Sequence, residues 1–357
     1  MVSLKELGQH LLSFGSGPTL EEMPRSTLAD KGLDGPTAAH RVEEIHAPFN
    51  YAYLTCTTGS SAFQNLVGVT WQELEAREAA GREALSRLGL DRGSKLLITY
   101  PPLVSVFSKR ALDQAGIEVH FIPRPSRDAL LVTLAGEQPH AVLGESTFLR
   151  AALVDAGRLG VLGQMPQQLT IIAAGSSMDP QLVEEATKLS GASVHDLYGC
   201  QEFGWLCLDG IPLRQDITLW DANLPDSRRL LLVGGLPTGD CFHTKTGLDG
   251  TTEVLTPTCQ RIPVEPEVHI LASTAEDLET VSRAARTILR IKAKILRVDE
   301  HCQCKAERTH LRVTIPGGGP SLEIIGPEKT RLFDDLLEAQ RTYQRKQKTD
   351  PVWNKGV

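Results

Sequence analysis

From residue 51 onward, short apolar runs alternate with amphipathic stretches, and that alternation predicts the elements. Residues 51–55 read as a strand and 56–61 as a polar turn. A helix is expected next: Thr70 is placed to cap it, Glu73 stands at its third position, and Leu74, Ala80, Ala84, Leu85 and Leu88 give it an apolar face. Gly89 and Gly93 close that helix, and 95–100 is a buried strand that stops at Pro101. Further strands are expected at 117–123, 140–144, 169–174 and 193–198. Helices are expected between them at 108–115, 127–136, 146–156 and 179–189, the last opened by Pro180 in its first turn. Strand and helix taking turns over about 150 residues predicts a layered α/β domain, its sheet mostly parallel with helices on both faces.

After Trp205 the pattern turns β-rich, with strands expected at 230–233, 252–256, 268–271 and 309–315 and one helix at 276–289. Residues 327–348 form an amphipathic helix whose last turns are basic, as the helix dipole favours. The expected division is an extended Gly-, Pro- and Ser-rich lead-in (1–50), an α/β core (51–205), a β-rich C-terminal subdomain (206–326) and a C-terminal helix and tail (327–357).

Composition narrows the class. Hydrophobic residues at 41% and charged residues at 23% fit a folded globular chain and argue against disorder. A net charge of −7 argues against nucleic acid as a partner, since that binding needs a basic field. The longest apolar run, 96–107, is too short to span a bilayer and contains Pro101 and Pro102, so no membrane role is expected. The first residues mix Lys5, Glu6 and His10 among leucines and do not resemble a signal peptide. Seven cysteines are an odd number and sparse for the length, which points away from a disulfide scaffold and towards the cytoplasm.

Three constellations could carry chemistry. The first is the hydroxyl-rich stretch Thr55, Cys56, Thr57, Thr58, Gly59, Ser60 and Ser61. Its hydroxyls and backbone N–H groups could cradle phosphate oxygens, although it lacks the Lys of a Walker A loop and composition alone favours a plain surface turn. The second is a buried strand opening into Gly175, Ser176 and Ser177, at the carboxyl edge where α/β ligand sites concentrate; an ordinary capped turn would read the same. The third is Tyr198, Gly199, Gln201 and Glu202. Here a ring could stack on a base and a carboxylate four residues later could ligate Mg²⁺ on phosphates; a core Tyr beside a surface Glu is the plainer reading.

Taken in order, with the intervening units at 70–88, 95–100, 115–122 and 138–144, these stretches resemble the adenylate-forming (ANL) superfamily over residues 50–205. The branch is similar to phenylacetate–CoA ligases, in a short form akin to adenylating proteins of phenazine-antibiotic biosynthesis. The resemblance implies the ANL large N-terminal domain, and a reaction in which an aromatic carboxylic acid attacks the α-phosphorus of ATP with Mg²⁺ present. It assigns Thr55, Thr57, Thr58, Gly59 and Ser60 to the phosphates, and Gly175, Ser176 and Ser177 to the flank of the adenine. Tyr198 and Gly199 fall at the stacking position, Gln201 near the α-phosphate, and Glu202 at the metal. Catalytic roles then rest on Thr58, Gln201 and Glu202. The acyl group would pass to an amine, a thiol or a partner protein.

Several positions depart from that pattern. Cys56 replaces the usual Gly, no Lys follows Gly59, and Gln201 replaces Thr or Ser. The ribose-binding Asp is either Asp240, in Thr238-Gly239-Asp240, or Asp299. After Asp299 too little chain remains for the family's mobile C-terminal domain, so transfer to CoA is not expected, and Lys348 and Lys355 lack the context of its catalytic Lys. These losses keep a second reading open, a non-catalytic scaffold that binds nucleotide or an acyl product. Phe63, Tyr100 and Phe203 are candidate acyl-pocket residues. His301, Cys302, Cys304 and His310 lack the spacing of a zinc site, and free cysteines are expected there.

Overall fold

The computed structural model describes residues 51–59, 62–99, 109–200, 202–247, 253–261, 266–286, 289–290 and 296–349. They fall into two compact units. Unit one comprises 77–213 and 245–258; unit two comprises 51–76, 214–244 and 259–349.

The chain enters unit two as a hairpin of β1 (Tyr51–Gly59) and β2 (Ala62–Thr70), antiparallel from Tyr51 opposite Thr70 to Gly59 opposite Ala62. This corrects the expected turn over 56–59, while Ser60 and Ser61 lie outside the described residues. The β-branched Thr55, Thr57 and Thr58 continue the strand, and the ladder absorbs a register shift between Thr57 and Thr58. Helix α1 (Trp71–Arg87) follows, with the Glu73 N–H donating to Thr70 Oγ1 at 3.1 Å as the capping pattern predicts. The boundary between the units falls inside α1, after Ala76.

Unit one continues as β3 (Lys95–Ile98), α2 (Lys109–Ala115), β4 (Glu118–Phe121), α3 (Arg127–Glu137), β5 (Ala141–Gly144), α4 (Ser146–Leu159), β6 (Thr170–Ala174), α5 (Pro180–Ala186), β7 (Ser193–Cys200), β8 (Gly204–Leu208) and β9 (Ile211–Pro212). Its seven strands lie in the order β4-β3-β5-β6-β7-β8-β9, parallel from β4 to β7 and antiparallel thereafter. The period-two pattern sorts the side chains. Leu96, Ile98, Leu143 and Ile172 meet Ala84 and Leu85 of α1, and Leu88 just after it, on one face. On the other, Leu97, Val142, Ile171 and Ala173 meet Leu130 of α3, Leu153 of α4 and Leu182 of α5. The fold is therefore the α/β class expected, a mostly parallel sheet covered by helices on both sides.

The remaining elements are β10 (Ile217–Trp220), β11 (Arg229–Val233), β12 (Leu236–Phe242), β13 (Thr244–Thr246), β14 (Glu253–Leu255), β15 (Gln260–Arg261), β16 (Glu267–Ala272), α6 (Leu278–Arg286), β17 (Leu289–Arg290), β18 (Leu296–Gln303), β19 (His310–Thr314), β20 (Leu322–Ile325) and α7 (Arg331–Thr349). Strand β14 returns to unit one, where the Leu255 N–H donates to the Gly210 carbonyl at 3.0 Å. Unit two carries two four-stranded sheets, β10-β11-β12-β15 and β18-β16-β19-β20, while β17 pairs with β2. Strands β12, β18 and β20 were not foreseen as strands; their polar positions include Thr238, Asp240, Asp299 and Glu323. No helix among the described residues is long and apolar enough to cross a membrane.

An ion cluster lies inside unit two. The Arg214 guanidinium, its side chain 3% exposed, donates to Glu73 at 2.9 and 3.1 Å and to Asp216 at 3.0 and 2.8 Å. Arg331 of α7 donates to the same two carboxylates and to Asp335, each at 2.8 Å. Burial opposes the charge on Arg214, but Glu73 and Asp216 outweigh it and hold the guanidinium protonated. Replacing Arg214 with Ala would leave two buried carboxylates short of a partner. The expected loss is about 3–5 kcal/mol in urea unfolding, against about 0–1 kcal/mol for Ala at the exposed, Glu267-paired Arg297.

Candidate active site

Strand register in unit one decides which residues meet at the carboxyl edge of the parallel sheet. Gly144 of β5 pairs with Ala173 of β6, and Ala174 of β6 pairs with Leu197 of β7. Glu145 and Gly175 thus follow the last paired residues of β5 and β6, and Tyr198 follows the last residue of β7 that pairs with β6, at the edge where open α/β sheets bind ligands.

The Gly175–Ser177 segment is exposed, yet held from below. Gly175 has φ +84°, a left-handed conformation that ends β6 at low cost only for glycine. The Ser176 hydroxyl donates to Glu145 Oε1 at 2.8 Å, and the Ser146 hydroxyl donates to the Ser177 carbonyl at 3.0 Å. Asp179 then caps α5 by accepting from the Gln181 N–H at 3.0 Å, and Arg150 fixes it from α4 at 2.6 Å.

Tyr198 is half-buried on β7, opposite Cys207 of β8. Gly199 follows at a point of close approach: a Cβ there would stand 2.6 Å from the Gly204 carbonyl oxygen, so a side chain would force the β7–β8 connection apart. Glu202 is half-buried in that connection, and its main-chain carbonyl accepts from the buried Arg77 of α1. Phe203 is buried beside it. Gln201, Ser60 and Tyr100 lie outside the described residues.

The other candidates belong to unit two. Thr55, Thr57, Thr58 and Gly59 lie on β1. Asp240 is on β12, its N–H donating to Thr238 Oγ1 at 3.1 Å; Asp299 is on β18, its Oδ1 accepting from the His301 N–H at 2.9 Å. The two aspartates thus sit in separate sheets. Along β18 the exposed His301 and the buried Cys302 alternate, and His310 is bonded to Glu323 on β20. Among the described residues no group of three or more His, Cys, Asp or Glu side chains is arranged to hold a metal ion.

The ACP-SH:acetate ligase of Malonomonas rubra is 45% identical to this chain over 361 residues, 99% of the chain and 98% of the relative. The chain belongs to the ACP-SH:acetate ligase family. Within this family member, residues 209–344 also match the domain described as MadH C-terminal domain. Solved structures offer only a loose likeness. The amide bond synthetase McbA from Marinactinospora thermotolerans is 17% identical, with a TM-score of 0.43 over 58% of this chain and 49% of that one. An acyl-CoA synthetase from Brucella canis is 13% identical, with a TM-score of 0.45 over 61% and 46%. The matched region spans about half the length of those two chains.

Two residues of this ACP-SH:acetate ligase relative escaped the sequence reading. Arg77 looks like any polar helix position until the fold sets it beneath the Glu202 carbonyl. Glu145 is the N-cap of α4, a position where shorter side chains are the usual signal. Partial burial works to raise the Glu145 pKa. The hydroxyls of Thr147 and Ser176 and the N–H groups of Phe148 and Thr147 more than offset it, and the carboxyl titrates below the ordinary range.

Asp196, two residues before Tyr198, shifts the other way. Burial, and then the charge of Asp209, raise it from an ordinary 3.8 to about 7. A raised acid pKa contributes stability below the unfolded value and loses it as pH rises through the folded value. Asp196→Asn should therefore match the wild type near pH 4 and become the more stable protein by pH 8. The gain expected is on the order of 1–2 kcal/mol, read from melting curves across that range.

Proposed function

We propose that the chain activates a small carboxylic acid with ATP and Mg²⁺ and passes the acyl group to the thiol of a carrier protein. The observation that carries this reading is the 45% identity, across 99% of the chain, to a protein named for acetate and a carrier thiol. In the first step a carboxylate oxygen attacks the α-phosphorus of ATP, and pyrophosphate leaves the acyl-adenylate. In the second, the carrier thiol loses its proton and attacks the acyl carbon; AMP leaves and a thioester remains.

The ANL-like order of motifs supports the first step. The exposed Gly175–Ser177 segment and the half-buried Tyr198 ring suit the two sides of an adenine. Thr55, Thr57, Thr58, Gly59 and Ser60 are assigned to the phosphates and Gln201 to the α-phosphate region. Asp240 is assigned to the ribose because it stands in the Thr238-Gly239-Asp240 sequence, with Asp299 as the alternative. Mg²⁺ keeps several waters and asks for one or two carboxylates beside phosphate oxygens, and Glu202, half-buried after β7, is the carboxylate assigned to it. When bound it would offset charge developing on the phosphates. An aromatic acid and a place in antibiotic biosynthesis, which the branch resemblance implies, form the alternative substrate reading.

Acid-dependent exchange of labelled pyrophosphate into ATP tests both. Exchange driven by acetate or another short acid is expected, with Glu202→Ala lowering its rate about 100-fold. Tyr198→Ala should raise the ATP KM about tenfold, as loss of a base-stacking ring does. Exchange driven only by aryl acids would move the substrate class. Silence with every acid would leave the nucleotide-binding scaffold that Cys56 and Gln201 suggest.

A further inference from the structure

Glu145 does more than cap a helix. Its two oxygens accept from the Thr147 N–H at 3.1 Å, the Phe148 N–H at 2.8 Å, the Thr147 hydroxyl at 2.9 and 2.7 Å and the Ser176 hydroxyl at 2.8 Å. The first four are local to α4. The fifth crosses to the next strand's loop, 31 residues away. Glu145 also borders an open pocket of ≈ 580 Å³, where Ser126 and Arg127 at the start of α3 face Thr147 and Phe148 at the start of α4. The carboxylate therefore borders that pocket and, through Ser176, the segment that follows β6.

Side-chain length separates the two duties. Asp is a preferred N-cap and would serve the N–H groups of α4. Shorter by one methylene, it would not reach Ser176. A Glu at this cap is what a demand on both sides selects. Its neighbour Ser146 grips the same segment through the Ser177 carbonyl, so the two residues after β5 hold the two serines after β6.

We propose that Glu145 is a positioning residue for nucleotide binding: through the Ser176 hydroxyl it holds Gly175–Ser177 in the shape that receives the adenine. This rests on the reading of that segment as the adenine flank. The ionised state that the surrounding donors favour keeps Glu145 an acceptor throughout the neutral range.

The test is a double-mutant cycle of Glu145→Asp and Ser176→Ala in the full chain, reading ATP KM and kcat in pyrophosphate exchange together with melting temperature. Each single variant should raise the ATP KM about tenfold, the weight of one charge-assisted hydrogen bond, with kcat within about threefold of wild type. The double variant should be no worse than either single one, because both remove the same bond. Melting temperatures should stay near wild type, since Asp retains the cap and Ser176 is exposed. An unmoved KM in either variant, or additive effects in the double, would overturn the positioning role while leaving the nucleotide site standing. If the unmodified chain neither exchanges pyrophosphate nor binds ATP by calorimetry, the nucleotide reading fails first and takes this role with it.

Discussion

A parallel strand buried on both faces has no lateral surface on which to present polar chemistry. In unit one, Leu96, Leu97 and Ile98 are wholly buried, as are Ile171, Ile172 and Ala173, because helices cover both sides of the sheet. Polar groups can emerge only where these strands stop. Glu145, Gly175–Ser177, Tyr198 and Glu202 all lie beyond the last buried residues of β5, β6 and β7. The hydrophobic constraint thus concentrates the candidate chemistry at one edge before any residue of the site is chosen.

What the edge then needs is stiffness, since exposed loops are otherwise mobile. Three devices supply it here. Two residues after β5 bond the two serines after β6, Arg77 reaches from α1 to the Glu202 carbonyl, and Gly199 lets β7 and β8 close tightly. Each is a contact between consecutive or neighbouring elements of the layered fold, so the packing that builds the sheet also restrains its polar rim.

The layered half of the fold was legible because its signal is local. The buried strand at 95–98, apolar from Leu96 to Ile98, the Asp179–Pro180 start of α5 and the Thr70 cap of α1 each announce themselves within a few residues. Strand β2 was missed because Ala62–Thr70 mixes Gln64, Asn65 and Gly68 with Phe63, Leu66, Val67 and Val69 and keeps no clean period. Strand β12 was hidden because Leu236–Phe242 holds Pro237 and Gly239, residue types that strands disfavour. The order of the motifs along the chain was readable, but Glu145 was not: its meaning depends on the register of β5 against β6. The Arg214 cluster joins positions 141 and 258 residues from Glu73, a separation at which no periodic pattern survives.

That separation also orders events during synthesis. Glu73 meets Arg331 across 258 residues, so at about 5–20 residues per second the ribosome needs roughly 13–50 s between making one and making the other. For the last 115 residues of that interval, once Asp216 has been made, Glu73 and Asp216 share the guanidinium of Arg214 while Arg331 is still to come. The β3–α5 succession of unit one has no such wait, since each strand's parallel partner is made within a few tens of residues. A nascent chain that stalls before α7 would hold a finished sheet in unit one and, within unit two, a charge cluster one cation short.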